Sequence, residues 1–169
     1  MKKLFNPRLY ELSIYDIDLE LLKKEGIKGF IFDVDNTIVP YDTPIPDEKI
    51  KNWFKKIEEM GFVSYIASNN KKGRVERFAK ELGIGYMPKA KKPLTKNLKK
   101  ICENMGIKPN ETAMVGDQLF TDILGGNLAG MFTVLIEQIS LIEGRFIKFK
   151  RIFEKMILPK KKRVKGRIC

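Results

Sequence analysis

Asp33 and Asp35 stand two residues apart directly after the apolar run Gly29-Phe30-Ile31-Phe32, and Thr37 follows at the same spacing. The run reads as a strand buried on both faces. Carboxylates delivered at the end of such a strand are costly to bury, so they are normally paired, hydrogen-bonded or bound to a metal. Further polar groups recur at matching places. Ser68 and Asn69 follow the run Phe62 to Ala67, Lys92 directly precedes Pro93, and Gly116-Asp117 ends the run Thr112 to Val115 with Asp122 five residues on. Singly, each has a plain explanation: a turn serine, a solvated lysine, a helix-capping aspartate. Together they supply carboxylates for a hard cation, a hydroxyl and an ammonium, which is equipment for holding a phosphoryl group and Mg2+.

The elements that must position these groups alternate. Asp16 to Glu25 reads as a short helix stopped by Gly26, and Lys28 to Asp33 as the first strand. Val39 to Pro46 contains Pro40, Pro44 and Pro46 and reads as a flap over the strand end. Asp47 caps a helix through Met60 with Trp53, Phe54 and Ile57 inward. Phe62–Ala67, Ile84–Met87, Thr112–Val115 and Phe132–Ile136 are the remaining strands. Helices fall over Gly73–Leu82, from Pro93 in the first turn to Met105, and over Asp122–Ala129. Residues 1 to 15 read as an irregular lead-in. The pattern predicts an α/β, three-layer, Rossmann-like fold with a parallel five-stranded sheet, in which groups at the carboxyl ends of strands converge on one crevice.

Composition narrows the chemistry. Histidine is absent from all 169 residues, which removes His-dependent triads and His zinc sites. The two cysteines, Cys102 and Cys169, form neither metal-ligand spacing nor a disulfide framework. No apolar run approaches the roughly 20 residues that span a bilayer, and the basic start Met1-Lys2-Lys3 has no apolar segment behind it. The expected location is cytoplasmic, or peripheral on the inner face of a membrane. The net charge is +12, and residues 144–169 hold eleven Lys and Arg against Glu154 alone, so nearly all of the excess sits in the tail. A tail of that kind expects an anionic partner.

In order, the groups resemble the four motifs of the haloacid dehalogenase (HAD) superfamily: Asp33-Val34-Asp35-Asn36-Thr37, then Ser68, then Lys92, then Gly116-Asp117 with Asp122. Of the adjacent Lys91 and Lys92, the resemblance favours Lys92, because the motif lysine commonly precedes a proline. The resemblance implies that Asp33 is a nucleophile that becomes an aspartyl-phosphate and Asp35 a general acid and base. It implies Mg2+ held by Asp33, Asp117 and the Asp35 backbone carbonyl, with Thr37, Ser68, Asn69 and Lys92 around the phosphate. Asp122 either supports the metal shell or positions Lys92. Thr37 to Phe62 and Met87 to Thr112 leave no room for a cap domain. The stretches Ser13-Ile14-Tyr15-Asp16-Ile17, Gly26-Ile27-Lys28-Gly29, Gln118-Leu119-Phe120-Thr121 and Gly125-Gly126-Asn127 extend the likeness to the YqeG-type, subfamily IIIA branch. That branch is similar to phosphatases acting on phosphatidylglycerophosphate, and so implies a lipid headgroup phosphate and a role in phospholipid synthesis.

The chain thus divides into a phosphatase core over 1–140 and a basic, amphipathic C-terminal helix and tail over 141–169. Ile142, Phe146, Phe149, Phe153 and Met156 form one apolar stripe at helical spacing, and Lys160 to Arg163 a basic cluster beyond Pro159. The stripe suits either packing on the sheet or an interfacial helix on anionic lipid. Two alternatives remain: a phosphatase of a soluble phosphomonoester, and a nucleic-acid- or ribosome-binding protein on the same scaffold. The second is disfavoured because the tail lacks Tyr and Trp for stacking on bases.

Overall fold

The computed structural model describes residues 2–41, 43–70, 72–139 and 166–167. The strands are β1 (Leu9–Glu11), β2 (Gly29–Phe32), β3 (Val63–Ala67), β4 (Gly85–Met87), β5 (Thr112–Gly116), β6 (Phe132–Ile136) and the two-residue β7 (Gly166–Arg167). The α-helices are α1 (Leu19–Lys24), α2 (Glu48–Glu59), α3 (Lys72–Glu81), α4 (Thr95–Met105) and α5 (Leu124–Ala129). The sheet order is β4-β3-β2-β5-β6-β1-β7, with every pairing among β1 to β6 parallel and β7 antiparallel to β1.

The chain runs outward from β2 through β3 to β4, then returns to the other side of β2 for β5 and β6. Chain direction therefore reverses around β2, and the carboxyl ends of β3, β2 and β5 border one crevice. Alternation along each strand splits the core into two layers. Phe30, Phe32, Ile66, Ala113 and Val115 face one side, where Leu22, Ile50, Trp53, Phe54, Ile57, Val75 and Phe78 of α1, α2 and α3 cover them. Ile31, Ala67 and Met114 face the other, under Leu98, Ile101 and Cys102 of α4 and Ala129 of α5. The Phe32 ring lies edge-on to Trp53 and Phe54, at 5.7 and 5.2 Å between centroids, which seats α2 directly beneath the strand that ends in Asp33.

Asp47 caps α2 as its position suggests, accepting from the Ile50 N–H at 2.8 Å. Four details differ from the sequence reading. The parallel sheet has six strands, because Leu9-Tyr10-Glu11 of the lead-in pairs with Val134, Leu135 and Ile136 of β6. Three residues behind Asn6-Pro7 carry too little periodicity to announce a strand; the exposed edge of β6 supplies it. The first helix begins at Leu19, capped by Asp18, after a 3-10 turn over Ile14–Asp16. Pro93 stays outside α4, following a cis Lys92–Pro93 peptide. Leu119–Ile123 forms a single π-helical turn before α5. The apolar stripe expected over Ile142 to Met156 and the basic cluster over Lys160 to Arg163 lie outside the described residues.

Candidate active site

β2 carries the ladder one residue past its end, where the Asp33 N–H donates to Val115 O at 2.9 Å. The backbone then folds back sharply. Val34 O accepts from the N–H groups of Thr37, Ile38 and Val39, and Asn36 adopts a left-handed φ of 63°. This turn stacks Asp33, Asp35 and Thr37 over the strand end, all three buried. At the end of β5, Asp117 enters beside them, and the Thr37 hydroxyl donates to Asp117 Oδ1 at 3.4 Å. The π-turn swings Asp122 inward until it is fully buried. It fits only because Gly116 has no side chain: a methyl group there would overlap the Asp122 carboxyl.

At the end of β3, Ser68 is buried and its Oγ accepts from the Asn70 N–H at 3.1 Å. Asn69 is exposed and spends its amide on the loop that bears the lysine. Its Nδ2 donates to Lys92 O at 3.1 Å, and its Oδ1 accepts from the Lys92 N–H at 2.9 Å. Of the two candidate lysines, Lys91 is exposed and Lys92 is buried. The Lys92 ammonium donates to Asp33 Oδ1 at 2.6 Å and to Ala67 O at 2.7 Å, and lies 2.7 Å from Asp122 Oδ1. The ammonium thus donates two hydrogen bonds and makes an ion pair with Asp122.

Burial is the largest influence on Asp33 and raises its pKa to about 6; Lys92 and Arg74 pull it down, while Asp122 adds to the rise. For Lys92 burial works against the charged form. The carboxylates of Asp122 and Asp33 outweigh it and hold the ammonium above its ordinary value.

Carboxylate oxygens of Asp33, Asp117 and Asp122 lie within 4.8 Å of one another, and all three residues are buried. Counting Asp35, four carboxylates meet two nearby cations, Lys92 and Arg74. An all-oxygen donor set with an excess of negative charge fits a hard divalent cation such as Mg2+. Asp122 enters this set as well as touching Lys92, so the structure brings together both options read for it.

Two residues at the site escape the sequence reading. Asn70 Nδ2 donates to Asp35 Oδ2, and Arg74 Nη1 donates to Asp35 Oδ1. Arg74 follows Lys71-Lys72-Gly73 and reads as one more solvated charge. Its one cue is its place in the first turn of the helix that leaves the Ser68 strand end.

A three-layer α/β sheet with buried carboxylates and a buried lysine at its switch point defines the class: a hydrolase of phosphoryl groups. Residues 39–130, which include Ser68, Lys92, Asp117 and Asp122, match the haloacid dehalogenase-like hydrolase family. The chain is 39% identical over 168 residues to the probable phosphatase YqeG of Bacillus subtilis, covering 99% of this chain and 97% of that protein. It is 34% identical over 153 residues to the chloroplastic/mitochondrial phosphatidylglycerophosphate phosphatase 1 of Arabidopsis thaliana, covering 83% of this chain and 43% of that one. Among solved structures, it shares its fold with a cobalt-bound deoxy-D-mannose-octulosonate 8-phosphate phosphatase of Haemophilus influenzae, at a TM-score of 0.53 and 18% identity, covering 80% of this chain and 90% of that one. The chain belongs to the haloacid dehalogenase-like hydrolases and is a phosphatase of that family. Among the described residues no helix is long and apolar enough to cross a membrane.

Proposed function

We propose that the protein hydrolyses the terminal phosphomonoester of phosphatidylglycerophosphate through a phosphorylated Asp33, with Mg2+ as cofactor. The observation that carries the chemistry is the Lys92 ammonium held between Asp33 and Asp122 at 2.6 and 2.7 Å in a buried carboxylate cluster. A carboxylate attacks an anionic phosphate only where nearby positive charge offsets their repulsion.

An Asp33 oxygen forms a bond to phosphorus while the bond to the alkyl oxygen breaks, and Lys92 balances charge on the phosphoryl oxygens. Asp35 gives its proton to the departing alkoxide. Water then attacks the same phosphorus, Asp35 takes its proton, and the bond from phosphorus to Asp33 breaks to release phosphate. Asp33, Asp117 and the Asp35 carbonyl would hold Mg2+, which when bound supplies positive charge to the nucleophile and the phosphate. Asp122 has one oxygen on Lys92 and the other accepting the Gln118 N–H at 3.1 Å, so it acts by holding the lysine in place. Ser68 and Thr37, buried beside Lys92 and Asp117, are assigned to the phosphate oxygens. Asn69 contributes through the Lys92 loop it clasps.

Two observations support a lipid substrate: the chain's likeness to a phosphatase named for phosphatidylglycerophosphate, and a crevice bordered after β2 by the short 39–46 flap rather than an inserted domain. The core over 1–140 would carry the chemistry and 141–169 the contact with an anionic lipid surface. The test is phosphate release with Mg2+ from phosphatidylglycerophosphate in detergent, against glycerol 3-phosphate, sugar phosphates and nucleotides. A kcat/KM at least roughly tenfold higher for the lipid, about 1.4 kcal/mol of preference, supports the assignment. A preference for any soluble ester overturns it.

A further inference from the structure

Asp35 is asked to give and then take a proton at one point in space, yet it stands on a tight turn beneath a proline-rich flap. What fixes its carboxylate comes from elsewhere in the chain. Asn70 Nδ2 holds Oδ2, and Arg74 Nη1 holds Oδ1. The same guanidinium reaches over the flap. Arg74 Nη2 donates to Pro40 O at 3.2 Å and Thr43 O at 2.9 Å, and Nε donates to Thr43 O at 3.2 Å. Its Cζ lies 5.3 Å from the centre of the Tyr41 ring. One planar fork thus spans a catalytic carboxylate, two flap carbonyls and a flap aromatic ring, contacts that a lysine could not make together. Arg74 is anchored in the first turn of α3, a helix seated on the sheet by the buried Val75 and Phe78.

We propose that Arg74 is the positioning residue of the proton-transfer step, fixing the Asp35 carboxylate and tying the flap carbonyls of Pro40 and Thr43 to it. The inference rests on the role given to Asp35 above. The flap borders the crevice directly after β2, where no domain is inserted among the described residues, and Arg74 joins it to the chemistry. A misplacement of an acid or base by about 1 Å is enough to cost two orders of magnitude in rate.

The experiment is a double-mutant cycle on kcat with Mg2+ and a saturating alkyl phosphomonoester, using R74A, D35N and D35N/R74A. Arg74→Ala is expected to lower kcat roughly 10- to 100-fold with KM changed less than about threefold. In the Asp35→Asn background, removing Arg74 is expected to change kcat less than about twofold, because the group it positions is already gone. An equal loss in both backgrounds, a loss carried by KM, or no loss at all overturns the proposal. If thermal melting shows R74A unfolded, R74K and R74Q run the same cycle with the same criteria, since both keep a polar side chain at that position of the helix. Failure of the underlying reading looks different: full turnover by D35N, or residual turnover by D33N, removes the mechanism itself. Arg74 variants that match wild type while both aspartate variants are impaired remove only this inference.

Discussion

At the scale of single residues the site is a set of opposed costs. Asp33 is the nucleophile of the proposed mechanism and a buried carboxylate whose pKa is raised to about 6 by burial. A carboxyl group held above its unfolded value of about 3.9 contributes stability that is full below that value and lost as the pH rises through the folded one. In the metal-free protein, Asp33→Asn is therefore expected to abolish turnover yet raise stability at neutral pH, by an amount on the order of 1–3 kcal/mol. The gain should shrink toward zero as the pH falls from about 6 to about 4. Urea titrations of both proteins in EDTA across that range measure it, and a gain that persists at the acid end contradicts the electrostatic origin. Lys92 behaves in the opposite sense. Lys92→Met leaves Asp33 and Asp122 facing each other without that cation, and a loss of roughly 3–5 kcal/mol is expected at neutral pH from the same titration.

At the scale of elements the crevice depends on how strand ends are shaped. Gly116 is the clearest case, since any side chain there displaces Asp122 and through it Lys92. Gly116→Ala is expected to cost roughly 2–4 kcal/mol in thermal or urea unfolding and to reduce kcat more than Asp122→Asn does. Near-normal activity in the alanine variant would show that Asp122 need not sit against that strand. Asp33, Asp35 and Asp117 are legible in the sequence because they cluster just past apolar runs, which local physics makes visible, whereas Lys92 is singled out from Lys91 only by the family resemblance. The strands they follow are legible for the same reason: β2 is buried on both faces and reads as an unbroken apolar run. β1 is not, because three residues carry no period and pair only where β6 leaves an edge. Arg74 is not, because an arginine among lysines looks solvated until the fold brings the flap and Asp35 to it. Asn69 falls at the correct strand end, but its partner is the Lys92 backbone, a contact between chain segments that no local pattern encodes.

At the scale of the whole molecule the crevice and the uneven charge belong to one account. Ile139 is tied back to the turn after β2 through its N–H on Asn36 O at 3.2 Å, and Gly166–Arg167 lies along β1. The two described ends that flank the basic segment are thus both joined to the body that carries the site. If Lys160, Lys161, Lys162 and Arg163 contact anionic lipid, each contributes about 1 kcal/mol. Replacing all four by Gln is then expected to weaken co-sedimentation with anionic vesicles by about a hundredfold or more at physiological salt, while leaving turnover of a soluble ester unchanged. Equal sedimentation of both proteins contradicts a membrane role for that cluster. The central claim is covalent chemistry at Asp33, and the most direct measurement is acid quench of the Asp35→Asn variant during turnover with Mg2+, followed by peptide mass spectrometry. The expected result is a phosphate adduct on Asp33 that is absent when Asp33 is replaced by Asn. Phosphate release by the wild-type protein with no adduct on Asp33 at any quench time, together with turnover by the Asp33→Asn variant, would contradict it.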